Sequence, residues 1–478
     1  MNRLPLLLLL LAGCTVGPDY VRPKVEVPAA YKENRAENRA ENGAAAGDWK
    51  PAEPRDAAAR GKWWEVFGDA QLDALMPQVD LSNQTVAAAE AQVRISAALA
   101  DQSRAQWWPT LTGSVQRTES KPSSTTGPVV GNPTSKRIID SLPLSASWEA
   151  DVWGRIRRLV EEGDATTKAS AADLLAARLS AQAALAQSYF QLRTLDAQKK
   201  LADETVAALE KSLQLTRNRY AVGVAAQADV VAAQAQLLSA RAQALDLGAQ
   251  RAPLEHAIAV LIGKPAADFS LAFAPLAATP PPVPAAGLPA DLLERRPDVA
   301  AAERRVEAAN AQIGVAKAAF FPTATLGATY GYQTATPALW LTHPSLFWSV
   351  GPALAFTLFD GGRRDAVSAQ ARAGYDQTVA NYRGTVLQAF ADVEDNLAAL
   401  RILEQEAAVQ AEAVKAANQS LDLTLNQYKA GIVTYLQVVV AATAAFSAQQ
   451  SEATILGRRM AASVLLVKAL GGGWEAKP

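Results

Sequence analysis

Long stretches of this chain place apolar residues at helical spacing, and two shorter zones between them alternate apolar and polar residues at a period of two. The helical pattern predicts six segments: about 82–107, 155–220 and 227–262, then 298–321, 363–429 and 434–470. Gly263-Lys264-Pro265 stops the third segment and Gly471-Gly472-Gly473 stops the sixth. At 1.5 Å per residue, a helix of ~66 residues reaches roughly 100 Å. The two shorter helices of each half sum to nearly the same length, so they fit end to end beside one long helix. Helices this long bury their apolar stripe against other long helices and not in a small core.

The alternating zones predict four strands, at 109–120, 138–150, 322–334 and 346–359. Leu111, Gly113 and Val115 share a face, as do Leu142, Leu144, Ala146 and Trp148. In the second zone Leu326, Ala328, Tyr330 and Tyr332 fall together, and Trp348, Val350, Leu354, Phe356 and Leu358 likewise. The opposite faces carry Thr112, Ser114, Gln116, Ser145, Ser147, Glu149, Thr325, Thr329 and Gln333. Such two-faced strands of about ten residues suit a membrane β-barrel, with a soluble β-sandwich as the competing reading. Trp107, Trp108, Trp148, Trp153, Trp340 and Trp348, six of the ten tryptophans, flank the strands as an aromatic girdle would.

Both zones belong to an internal repeat. Val86-Ala87-Ala88-Ala89-Glu90 and Trp107-Trp108-Pro109 return as Val299-Ala300-Ala301-Ala302-Glu303 and Phe320-Phe321-Pro322, an offset of 213 (299−86). Asn218-x-Tyr220-x-x-Gly223 returns as Asn426-x-Tyr428-x-x-Gly431, an offset of 208 (426−218). One helix-strand-strand-helix-helix unit is therefore used twice, over 62–290 and 291–478. Four strands do not close a barrel, and open edges do not survive in lipid, so the protomer must associate. Two, three or four copies give eight, twelve or sixteen strands; a conduit needs at least three, because eight strands fill their own interior.

The N-terminus predicts an address. Arg3, the run Leu6 to Leu11 and Ala12-Gly13-Cys14 read as a signal peptide (1–13) with lipidation at Cys14, the apolar run being too short to span a bilayer. Residues 14–61 read as lipid anchor and extended linker, with Glu-Asn-Arg-Ala repeated at 33–36 and 37–40. Pro280-Pro281-Pro282 and Pro284 exclude regular helix from the belt that joins the repeats. A net charge of −1 gives no reason to expect nucleic acid. One cysteine allows no internal disulfide, and with His256 and His343 it leaves no basis for a metal site. No phosphate-binding glycine loop or nucleophile–base arrangement is present, so neither a cofactor nor an enzymatic activity is expected.

Several motifs together resemble the TolC-like outer membrane factors, in particular the NodT-type lipoproteins of RND efflux systems. They are Cys14-x-Val16-Gly17-Pro18-Asp19-Tyr20-x-Arg22-Pro23, Trp63-Trp64-x-x-Phe67-x-Asp69, Arg296-Pro297-Asp298-Val299, Phe359-Asp360-Gly361-Gly362-Arg363-Arg364 and Tyr428-x-x-Gly431-x-x-x-Tyr435-Leu436. The resemblance implies an α+β membrane protein, trimeric, with a twelve-stranded β-barrel continued by a twelve-helix periplasmic α-barrel. It implies a passive exit duct in the outer membrane of a Gram-negative bacterium, anchored by palmitate or similar lipid. The expected partners are a periplasmic adaptor (membrane fusion) protein and an inner-membrane RND-type transporter. Leu436 falls on the periplasmic gate position, Val440 stands where relatives carry a carboxylate, and Asp229 is the candidate replacement charge. Gly223 and Gly431, with Tyr220 and Tyr428, mark the tip turns for adaptor contact. Trp107, Trp108, Trp148, Trp348, Phe320 and Phe321 would lie at the membrane interface. A duct for type I protein secretion and a lipid-anchored periplasmic tether without a pore are the competing expectations.

Overall fold

The protein is described by a computed structural model covering residues 15–33, 61–121, 136–276, 280 and 289–472. The leader, Cys14, the Glu-Asn-Arg-Ala repeats beyond Glu33, Pro281, Pro282, Pro284 and Gly473 lie outside the described residues.

The three principal helices recur at equal length in the two halves. The first half has α1 (Ala70–Ser82), α2 (Gln84–Ala105), strands β1 (Thr110–Gly113), β2 (Gln116–Ser120) and β3 (Arg137–Ala150), then α3 (Arg155–Ala221) and α4 (Gln227–Leu261). The second has α5 (Leu292–Arg295), α6 (Pro297–Ala318), β4 (Thr323–Thr334), β5 (Leu346–Ala355), α7 (Arg363–Lys429) and α8 (Tyr435–Ala469). Helices α3 and α7 each run 67 residues, α4 and α8 each 35, and α2 and α6 each 22.

Helix α1 and the single-turn α5 are two more than the six-segment pattern predicts; α1 is the substantial one. Asp69 caps it, its carboxylate accepting from the Gln71 and Leu72 N–H groups at 2.9 and 3.1 Å. Leu72, Leu75, Met76 and Val79, spaced at one helical face, are buried. Asn83 separates it from α2 and caps that helix in turn, through the Thr85 and Val86 N–H groups.

All strands form one antiparallel sheet in the order β1/β2, β3, β4, β5. The first predicted strand is interrupted. Gly113 pairs with Leu144 and Gln116 with Ser141, a continuous register that sets Ser114 opposite Pro143. Pro143 has no N–H, so only the Ser114 N–H to Pro143 carbonyl bond remains, at 3.1 Å. The same proline faces Gly331 on the other side, where a Cβ would stand 2.3 Å from the Leu142 carbonyl oxygen, so only glycine fits. Strand β5 ends at Ala355 and not near 359. Ala355 pairs with Thr323, and the next partner would be Pro322, which cannot donate. Phe356 and Leu358 therefore lie beyond the sheet.

The described chain divides into two compact units. One takes residues up to Lys24, Val93–Ser170 and Ala302–Tyr382, and includes the whole sheet; the other takes Val25–Gln92, Ala171–Ala301 and Arg383 onward. Each unit draws on both repeats. The core of the second unit gathers Trp63, Trp64, Phe67, Met76, Tyr189, Phe190 and Met460. The Trp63 indole donates to Gln182 at 3.1 Å, satisfying its one polar atom inside that core.

Candidate functional site

The register turns the alternation of the strands into a surface. Rows run straight across the sheet: Gly113, Leu144, Tyr330 and Trp348; Leu111, Ala146, Ala328 and Val350; then Trp148, Leu326 and Pro352. These rows are apolar, giving way to Arg117, Asp140 and Thr334 only at the far end of the face, yet Leu111, Leu144, Leu326, Tyr330, Trp348, Val350 and Leu354 are all exposed. The opposite face carries Thr112, Ser145, Thr329 and Ser349 in one row. A largely exposed apolar surface on that scale is not stable in water and matches hydrocarbon. Among the described residues, no helix is long and apolar enough to cross a membrane.

Aromatic residues fix the end of the sheet where strands meet helices. Trp107 and Trp108 close α2, Phe320 and Phe321 close α6, and proline follows each pair. The Trp148 indole donates to the Trp107 carbonyl at 2.8 Å. Trp153 stacks on Phe321 with centroids 4.7 Å apart and donates to the Pro322 carbonyl at 2.7 Å. The Arg364 guanidinium lies 5.5 Å from the Phe320 ring and is held by Asp360 at 2.6 Å. Apolar rings with satisfied polar edges suit a boundary between hydrocarbon and water. Trp348 instead lies within the strand face, between the rim and the far end.

The second candidate region is the pair of turns between long and short helices. Gly223 and Gly431 adopt φ of 75° and 79°, the left-handed conformation that ends a helix. Each N–H bonds three residues back, to Tyr220 and Tyr428, and the next N–H bonds five back, to Arg219 and Gln427. Backbone geometry is thus the same in both turns. The side chains differ. Tyr220 is 47 % exposed, whereas Tyr428 is 4 % exposed. The Arg219 guanidinium covers the Tyr428 ring at 4.6 Å and donates to the Tyr428 carbonyl at 2.8 Å. Thr216 and Tyr428 share a hydroxyl hydrogen bond at 3.3 Å, and Ser212 donates to the Tyr435 hydroxyl at the same distance. Burial raises the Tyr435 phenol above its ordinary value, with the Ser212 bond opposing, so the hydroxyl stays neutral.

Leu436 and Val440, one helical turn apart on α8, are 68 % and 63 % exposed. Tyr435, Val438, Ala441 and Ala445 take the buried side of the same helix. The Asp229 carboxylate is used locally, accepting the Ala226 N–H at 3.3 Å and closing the first turn of α4. The structure therefore brings Leu436 and Val440 onto one exposed stripe and turns Asp229 back on its own helix. Arg219 was not singled out from the sequence. Its only signal there is a departure between the repeats, since Gln427 occupies the equivalent position (219+208). Among the described residues, no group of His, Cys, Asp and Glu is placed to hold a metal ion.

An exposed apolar sheet with open edges, carried on very long helices, defines a component of an outer-membrane channel. The chain belongs to the outer membrane efflux protein family, whose model matches residues 75–264 and 288–472. Membership places it in the outer membrane as part of an efflux system. It is 32 % identical to the pyoverdine export outer membrane protein OpmQ of Pseudomonas aeruginosa, over 91 % of this chain and 92 % of that one. It is 31 % identical to the probable efflux pump outer membrane protein TtgC of Pseudomonas putida, over 97 % and 94 %. The solved outer-membrane channel OprN superimposes with a TM-score of 0.84 at 29 % identity, covering 96 % of this chain and all of that one. VceC of Vibrio cholerae gives 0.79 at 29 % identity, covering 87 % and 100 %.

Proposed function

We propose that the protein is the passive exit duct of a tripartite pump for small molecules, assembled as a lipid-anchored trimer. The observation that carries this reading is the sheet, which has one exposed apolar face, one hydroxyl-bearing face and two unpaired edges. Three copies joined edge to edge give twelve strands, enough for a water-filled bore. The hydroxyl face then lines the bore and the apolar face meets lipid, with Trp107, Trp108, Trp148, Phe320 and Phe321 at the interface and Trp348 deeper. Palmitate or a related lipid on Cys14 adds an anchor. Energy comes from an inner-membrane RND-type transporter, coupled by a periplasmic adaptor that contacts the turns at Gly223, Tyr220 and Gly431; buried Tyr428 braces the second turn from within.

Leu436 and Val440 supply an apolar constriction, and opening follows from a small untwisting of the turn-bearing helices. Replacing Leu436 by Gly is expected to raise closed-state conductance in planar bilayers; an unchanged conductance counts against a gate at this position. The names of the relatives include pyoverdine export and efflux pumping, which supports a small-molecule cargo. The deciding experiment measures accumulation of dyes, antibiotics and aromatic acids in a deletion strain with and without the gene restored. Raised accumulation reversed by the gene establishes export. No change across the panel, with secretion of a polypeptide lost instead, would replace this reading by protein secretion.

A further inference from the structure

Residues 15–24 have no regular secondary structure, yet they are held along most of their length. The Val16 N–H donates to the Trp153 carbonyl at 3.1 Å. Gly17 adopts φ of 113°, and a Cβ there would stand 2.6 Å from the Cα of Gly314 on α6. The amide of Asn310 donates to the Pro18 carbonyl at 3.0 Å, and Arg158 pairs with Asp19 at 3.1 Å. Arg22 meets Glu303 at 2.6 Å, and the Tyr20 hydroxyl donates to the same carboxylate at 3.4 Å. Asn310, Glu303 and Arg158 are all buried, so this is a built seat and not a surface contact.

The duplication shows that the seat is specific. Subtracting 213 from Glu303, Asn310 and Gly314 gives Glu90, Ala97 and Asp101 on α2. That helix keeps the carboxylate but lacks the amide donor and the glycine that admits the chain. Only α6 takes the segment. At its upstream end Thr15 lies on Gly154, where a Cβ would be 2.8 Å from the Thr15 methyl, beside the Trp153–Phe321 stack. Thr15, the residue that follows Cys14 in the sequence, is thus fixed at the aromatic rim of the sheet.

We propose that residues 15–22 are a seating strap, docked on α3 and α6 through Gly17–Gly314 and Arg22–Glu303, that couples lipid anchoring to insertion of the sheet. The inference rests on the lipid-anchor reading of Cys14. A loose tether would leave the sheet to find the bilayer over a wide volume; a docked one holds the apolar face at the membrane and raises its effective concentration there.

The test uses full-length protein with Gly17→Val, which alters only the strap, and separately Glu303→Arg, Arg22→Glu and their combination. Each is made with Cys14 intact and in a C14S background. Three readouts are taken: radiolabelled palmitate incorporation, tryptic cleavage after Lys24, and the amount of heat-resistant oligomer in outer-membrane fractions. With Cys14 intact, Gly17→Val and Glu303→Arg are expected to expose Lys24 and lower inserted oligomer about fivefold, and the charge exchange to restore it. In C14S, already low, they are expected to change insertion no further. Equal losses in both backgrounds would overturn the coupling and leave plain packing. Wild-type protein that takes up no palmitate would overturn the anchor reading itself, whereas labelled protein with additive losses would overturn the strap alone.

Discussion

The two turns at the ends of α3 and α7 share one backbone and diverge in their side chains. In both, glycine ends a 67-residue helix by the same pair of hydrogen bonds. Only the second is tied down, by Arg219 over Tyr428 and by the hydroxyl pairs from Thr216 and Ser212. The same divergence appears further along the helices. Arg193 is buried beside Asp196, which also takes Arg251 at 2.8 Å, whereas its repeat Arg401 is exposed and reaches Glu33. The two halves thus share what the backbone requires and differ in the side-chain interactions laid over it.

The largest effect that would sharpen this contrast is expected at Asp196. Replacing it with Ala leaves buried Arg193 with only neutral partners, the Ala272 carbonyl and Gln71, and takes one of two carboxylates from Arg251; this is expected to cost about 3 kcal/mol, read as a lowered unfolding midpoint of the detergent-solubilised protein. The repeat-related Glu404→Ala, at an exposed position, is expected to shift stability by less than about 0.5 kcal/mol. Comparable losses would mean that the halves are equivalent after all. Next comes Tyr428→Ala, expected to cost about 3 kcal/mol locally and to increase leak conductance in planar bilayers, while Tyr220→Ala leaves both near wild type.

The turn glycines should not discriminate. Nothing lies within 4 Å of a Cβ at Gly223, and only the end of Arg219 approaches Gly431, so alanine at either meets mainly the left-handed backbone. Both are expected to cost about 1 kcal/mol; a clear inequality would place strain in one turn. The smallest effect concerns pH. Burial alone would raise the Asp298 carboxyl, but hydrogen bonding and charge from Arg296 outweigh it and hold the group below its ordinary value. Its contribution is present above the unfolded carboxylate range and is lost as pH falls through the lowered value. Acid weakening below about pH 4 should therefore shrink in Asp298→Asn, and no matching effect should follow at Thr85, the uncharged residue 213 positions earlier.

Much of the fold was legible because its pattern repeats. The sheet faces follow from alternation alone, as Leu144, Tyr330 and Trp348 in one row show. The break after Gly113 was not, because its cause is Pro143 on the neighbouring strand, a pairing no local pattern reveals. Helix α1 escaped because Pro77 sits inside a short apolar run and the capping Asp69 lies in a stretch dominated by tryptophan. At the turns, identical Asn-x-Tyr-x-x-Gly motifs suggested identical roles for Tyr220 and Tyr428. Their difference depends on Arg219, which reaches across from another helix. Asp229 shows the converse: a carboxylate three residues into a helix is a capping group by position, and that local use took precedence.

The unpaired outer edges of β1/β2 and β5 carry a consequence for how the protein comes to exist. A protomer alone in lipid would hold two rows of backbone donors and acceptors without partners. Folding of the sheet and association of copies therefore form one event governed by mass action, and its yield depends on how many protomers are present together. A slow supply would favour chains waiting in the periplasm over half-built pores, so an incomplete duct that leaks is the state this architecture disfavours most.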